Sequence, residues 1–307
     1  MGRQTWRWVT DGGIETDLIF NHGVDLPEFA AYPLVWSDDG RDLLRRYYAA
    51  YAGIAAAAGA SLRLETPTWR ANPDWGAQLG HDRTALSEAN RESVTMLHGL
   101  AEEWRGQVPE IEVTGTVGPR GDGYAPGPVV DPDEAADYHQ AQVRAFAEAG
   151  AAGVAALTLT DAGEAIGVVR VADSYSLPVA VSFTVETDGR LVDGTPLAEA
   201  IDRVEEAAPP AYFMVNCAHP THLLPGLSGL GERAGRIHGL RSNASTQTHA
   251  ELDEAEELDA GDLGLLVSTH RELEGLLPAL EVVGGCCGTD ARHVAALWGV
   301  EPGSGPA

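Results

Sequence analysis

Lysine is missing from this chain of 307 residues, so all 20 basic residues are arginine. A lysine Schiff base and the lysine of a phosphate-binding P-loop are thereby excluded. Positive charge is scarce altogether: 46 acidic residues give a formal charge of −26. Nucleic acid and anionic membranes reward basic patches, so neither is an expected partner. The acidity reads first as solubility or growth in salt, and only second as attraction of cationic ligands. Long apolar runs are also missing, since nothing approaches the roughly 18 uninterrupted apolar residues of a membrane helix. The longest apolar-looking run, 47–60, is mostly alanine and glycine and reads as a closely packed helix. Residues 1–10 lack the apolar centre of a signal peptide, and a cytoplasmic location is the expectation.

What is present is ordinary for a folded chain, with 44% apolar and 21% charged residues. Apolar, β-branched runs followed by turn signals occur at 6–10, 61–65, 111–116, 154–160, 178–184, 212–215, 236–240 and 280–284. Helical patterns separate them at 42–59, 84–105, 132–149, 164–173, 197–207 and 290–298. Two of these helices stop at Ala-Gly, at Gly59 and Gly150. Strand then helix, repeated about eight times, predicts an α/β protein: a single (β/α)8 TIM barrel over residues 1–300. An open doubly wound sheet fits less well, because no break divides the strands into halves. The seventh unit is the least defined, since 242–263 is acidic and its helix can begin anywhere around His249. Residues 117–128, rich in glycine and proline, read as a loop at the barrel mouth, and 301–307 as a flexible tail.

Catalysis in such barrels sits on the loops after the strands. Those loops hold all three cysteines: Cys217 after the sixth strand, Cys286 and Cys287 after the eighth. Inert buried thiols are one reading, and a redox pair is another, disfavoured because a disulfide between adjacent cysteines is strained. The third is a metal. Three thiolates suit Zn2+ and leave a fourth tetrahedral position for a substrate thiol, whose pKa the ion would lower. His219, His249, His270 and His293 are expected at the surface or in supporting roles, and no motif contains a His–carboxylate pair.

The segments Asp11-Gly12-Gly13-Ile14-Glu15-Thr16, 115–118, Ser182-Phe183-Thr184, Asn216-Cys217-Ala218-His219-Pro220 and 284–289 together resemble the homocysteine S-methyltransferase family, in order along nearly the whole chain. The resemblance implies a (β/α)8 barrel whose zinc is held by Cys217, Cys286 and Cys287. It implies transfer of a methyl group from an onium or folate donor to homocysteine, giving methionine. Asp11 and Gly12 match positions near the amino-acid end of homocysteine, and Asn216 matches the asparagine beside the first ligand. Two departures stand out. Leu157 occupies the place where relatives often carry a glutamate for the substrate amine, with Glu15 or Glu65 as candidate replacements. The loop after the seventh strand, Leu240-Arg241-Ser242-Asn243-Ala244-Ser245, also differs. These departures leave another thiol, or a selenol, as an alternative acceptor. A zinc-binding barrel without catalysis is the reading from another class. A small onium donor, S-methylmethionine or S-adenosylmethionine, is favoured, and the faces of Trp69 and Trp75 are candidates to hold it by cation–π attraction. The chain alone does not indicate an oligomeric state.

Overall fold

The structure, a computed structural model, describes residues 6–124, 127, 129–255 and 257–302. Eight parallel strands close into a barrel in sequence order, β1 paired to both β2 and β8. They are β1 Trp8–Val9, β2 Ser61–Glu65, β3 Ile111–Val117, β4 Gly153–Leu159, β5 Val179–Phe183, β6 Tyr212–Asn216, β7 Ile237–Ser242 and β8 Val282–Gly285. One principal helix follows each: α1 Asp38–Ala58, α2 Arg83–Glu103, α3 Pro132–Ala149, α4 Ala162–Ser174, α5 Leu197–Ala207, α6 Pro220–Leu227, α7 Leu263–Glu274 and α8 Ala291–Trp298. The expected (β/α)8 barrel is therefore found. Its expected tail, beyond Pro302, lies outside the described residues.

Local chemistry sets the element ends. Asp131 accepts from the amides of Asp133 and Glu134 at the start of α3, and Pro132 needs no acceptor there. Gly59 and Gly150 close α1 and α3 at φ +64° and +81°, as the Ala-Gly signals predict. β2, β4 and β5 are buried throughout because helices cover the outside while side chains fill the inside. At the strand starts the interior is plugged by Trp8, Ala180, Met214 and Val282. Arg63 lies 4.8 Å over the Trp8 ring and pairs with Glu112 at 2.8 Å. The opposite end is left for a site.

The seventh unit resolves into two pieces. Thr248 and Glu251 form a capping box for a short helix, His249–Asp253, and α7 begins ten residues later, where Asp262 caps it. Neither α6 nor the helix Pro73–Gln78 was legible: α6 carries Pro225 inside it, and six residues carry too little periodicity. Among the described residues no helix is long and apolar enough to cross a membrane.

Replacing Gly150 by alanine tests the stop signal, because the nearest atom to a new methyl is 3.9 Å away and any loss is conformational. Urea denaturation should show about 1 kcal/mol less stability. An unchanged midpoint would contradict the left-handed cap.

Candidate active site

The cysteines converge although 69 residues separate Cys217 from Cys286 in the chain. Their three Sγ atoms lie within 4.8 Å of one another. Cys217 leaves β6 at φ +56°, a left-handed conformation costly for a residue with a Cβ, and its amide donates to Arg241 O at 3.0 Å. Cys286 is held from the other side by its amide on Ser242 O, 2.8 Å. The end of β7 thus splints the two cysteine loops together.

Asn216, expected beside the first cysteine, organises this floor. Its Oδ1 accepts from Thr158 N at 2.8 Å and Ser182 Oγ at 2.6 Å. Its Nδ2 donates to Thr158 Oγ1 at 2.7 Å and points to Cys286 Sγ at 3.7 Å. The ladder slips between Ala156 and Leu159, and Thr158 sits at φ +61°. That bulge turns Leu157 and Thr158 into the cavity.

Above the thiols opens a cavity of about 560 Å³, lined by Asp11, Gly12, Glu15, Glu65, Trp69, Leu157, Asn216 and the three cysteines. Every residue proposed from sequence therefore reaches it, but the carboxylates differ. Asp11 and Glu65 are both ion-paired to Arg241, Asp11 at 2.5 Å. Tyr47 donates to the other oxygen of Asp11 at 3.1 Å. Burial raises the Asp11 pKa against the pull of Arg241. Glu65 is thus already occupied by a cation, contrary to its expected role as a replacement carboxylate. Glu15 has no side-chain hydrogen bond or ion pair among the described residues, and burial pushes its pKa up to about 7. Gly12 is confined, since a Cβ there would lie 2.6 Å from Tyr51 Oη and 2.8 Å from Thr289 O.

Left to themselves the thiols cannot all ionise. Hydrogen bonds from Cys217 and Cys287 hold Cys286 well below the usual thiol range. Cys217 is pushed well up by its hydrogen bonds to Cys286 and Cys287 and by burial. At Cys287 the bond from Cys217 pulls down, but Cys286 and burial outweigh it and the thiol rises. Only a bound cation would hold all three as thiolates, and this donor set fits a soft divalent metal.

Several residues were not anticipated. Tyr124 Oη lies 3.0 Å from Cys217 Sγ, and its ring stacks on His249 at 4.5 Å. An aromatic residue in the glycine-rich loop at the mouth was the available signal. Arg241 lies one place beyond the strand end read from sequence, inside β7 as it is found, so its charge had been assigned to the following loop. Of the two places expected for the four histidines, the surface is ruled out, each being at most 5% exposed, and His249 takes a supporting one beside Cys217. Burial lowers His219 to about 4 and His270 to about 3, so both are neutral. The missing His–carboxylate pair is also found, assembled from distant segments. His249 Nδ1 lies 2.8 Å from Glu186 Oε1, and Nε2 lies 3.0 Å from Cys217 O. Finally, the Trp75 face expected to receive a sulfonium already carries Arg70, 3.6 Å from the ring centroid. Trp69 donates its Nε1 to Leu157 O at 3.2 Å and also faces Arg70, at 5.1 Å.

Comparison with known proteins bears directly on this arrangement. The family model described as homocysteine S-methyltransferase matches residues 8–299. This chain belongs to that family. Homocysteine S-methyltransferase YbgG of Bacillus subtilis is 25% identical over 211 residues, which span 63% of this chain and 62% of that protein. The Escherichia coli homocysteine methyltransferase MmuM superposes with TM-score 0.75 at 21% identity. Its metallated form covers 97% of this chain and 96% of its own. Its oxidized form covers 96% of each. At that identity the likeness to MmuM is one of fold.

Two measurements test the electrostatics of this family member. Arg241→Met leaves Asp11 and Glu65 buried without a cation and should cost about 3–5 kcal/mol by urea denaturation, less at pH 5 than at pH 8. A loss under 1 kcal/mol would show that the pair is dispensable. Glu15 has a folded pKa above its unfolded value, so its contribution is most favourable below pH 4.5 and is lost as pH rises through about 7. Glu15→Gln should therefore gain roughly 2 kcal/mol on the wild type between those limits, somewhat under the full-burial figure because the residue borders the cavity. A pH-independent difference would place Glu15 in water.

Proposed function

We propose that this protein is a zinc-dependent S-methyltransferase that moves a methyl group from an onium donor to the thiol of homocysteine. The observation that carries the reading is the group of three cysteine sulfurs within 4.8 Å at the floor of an open-mouthed cavity. Homocysteine is taken from what the relatives YbgG and MmuM are named for. Cys217, Cys286 and Cys287 are the residues that would hold the metal. When bound, zinc supplies Lewis-acid activation, lowering the pKa of an acceptor thiol so that it reacts as thiolate at neutral pH.

The chain's own residues do the rest. Asn216 and Asn243, whose Nδ2 lies 3.9 Å from Cys217 Sγ, donate toward the sulfurs and damp their charge. Asp11, pinned by Arg241 and Tyr47, shapes the pocket beside Gly12. Glu28, Asp122, Asp253, Glu257 and Asp259 line the cavity as well, and such carboxylates favour entry of a cationic donor. S-methylmethionine and S-adenosylmethionine both meet that requirement. In the transfer, the acceptor sulfur forms its new bond to the methyl carbon as the donor's S–CH3 bond breaks in line. The donor leaves as a neutral thioether, and the thiol proton goes to solvent. No general acid is needed, so alignment supplies much of the rate.

The purified protein should contain about one zinc per chain and form methionine from homocysteine with at least one of the two donors. Cys217→Ala should lose the metal and at least about 1000-fold in kcat/KM while keeping its circular dichroism. Retention of both metal and activity would end this reading.

A further inference from the structure

The cavity needs groups to recognise the amino-acid end of its acceptor, and most polar groups near the thiols are spent. Arg241 binds Asp11 and Glu65 and also donates to Gly285 O at 3.0 Å and Gly12 O at 3.1 Å. Asn216 Oδ1 already accepts twice, and Leu157 offers only hydrocarbon. Drawing an ammonium onto Asp11 or Glu65 would mean weakening a buried ion pair.

Of the charges facing the same cavity, Glu15 and Arg70 lie in the field of the thiols, Glu15 in that of Cys286 and Arg70 in that of Cys287, and neither is ion-paired among the described residues. Glu15 has no hydrogen-bonding or ionic partner among the described side chains. Its turn is tied to the cysteine loop, because Thr16 Oγ1 accepts from Gly288 N at 3.1 Å and donates to Gly13 O at 3.0 Å. Arg70 forms no ion pair among the described residues. Its guanidinium carbon lies 3.6 Å from the Trp75 ring centroid, with Nη1 donating to Glu28 O at 2.8 Å, while its buried Nε has no partner among the described residues. A buried donor without an acceptor is costly, and the edge formed by Nε and Nη2 is the one that binds carboxylates in pairs. Arg70 lies in the field of Asp122 and next in that of Glu15, with no ion pair to either among the described residues. A gap between opposite charges, opening on a cavity, suits a zwitterion.

We propose that Glu15 and Arg70 form a clamp for an α-amino-acid acceptor, Glu15 taking its ammonium and Arg70 its carboxylate while the side-chain thiol reaches the cysteines. The inference rests on the functional reading above and adds what sets acceptor specificity. It assigns the amine to Glu15 instead of to Glu65, which is already ion-paired to Arg241. The donor is not read by this pair.

Steady-state kinetics of the zinc-loaded protein with three thiols test the clamp: homocysteine, γ-mercaptobutyrate, which lacks the amine, and homocysteamine, which lacks the carboxylate. Glu15→Gln should raise the homocysteine KM about 10- to 100-fold and leave the γ-mercaptobutyrate KM unchanged. Arg70→Gln should do the same for homocysteine and spare homocysteamine. Donor KM should stay within about threefold in both, and circular dichroism should match the wild type. Unaltered homocysteine KM in either variant, or a rise in donor KM alone, overturns the clamp. If the wild type methylates no thiol, it is the proposed function that fails. Calorimetric titration of homocysteine into wild type and both variants then decides the clamp by itself: equal affinities refute it, and a matching 10- to 100-fold weakening supports it.

Discussion

Arg241 is the point on which the mouth of this barrel hangs. One guanidinium, buried at the end of β7, reaches the loop after β1 through Asp11 and Gly12, the end of β2 through Glu65 and the end of β8 through Gly285. Its backbone carbonyl also receives the amide of Cys217. A charge this deep is tolerated only because each of its neighbours supplies an acceptor, and those neighbours are fixed in turn. The splint matters for chemistry because the loops it joins are those that bring the sulfurs together. The same residue adds positive potential beside Cys286, reinforcing the low pKa that its neighbouring thiols impose.

Around that splint the site divides its labour by charge. Three sulfurs that cannot all ionise in each other's company create a demand for a cation at the floor. Carboxylates along the wall make the cavity hospitable to a positively charged donor. Between them, Arg70 occupies the tryptophan face that sequence reasoning had left for a sulfonium. The aromatic platform is thereby filled from within the chain. Backbone strain at Thr158 and Cys217, both at positive φ, is concentrated where β4 and β6 face the thiols. Asn216 stitches these two segments together, which is what allows such conformations to persist.

The barrel itself was largely legible in the chain. Alternating strand and helix signals, with Ala-Gly stops at Gly59 and Gly150, are local patterns, and the backbone obeys them locally. The thiols after the sixth and eighth strands were legible for a related reason: closing the strands in order brings those two ends near one another on one face. The short helices 73–78 and 220–227 were not, because they draw on tertiary packing more than on periodicity.

What sequence alone determined is therefore the architecture, the family and part of the cavity wall, the three cysteines, Asp11, Glu15 and Asn216 among it, since each is written in residue types at regular spacing. Only the tertiary structure decided what those residues do to one another. That Glu65 is ion-paired, and Glu15 not ion-paired among the described residues, follows from where Arg241 points. That His249 is buried against Glu186, and Tyr124 against Cys217, follows from loops meeting across the mouth. Pairing between charges falls off over a few ångströms, and separation along the chain says nothing about separation in space.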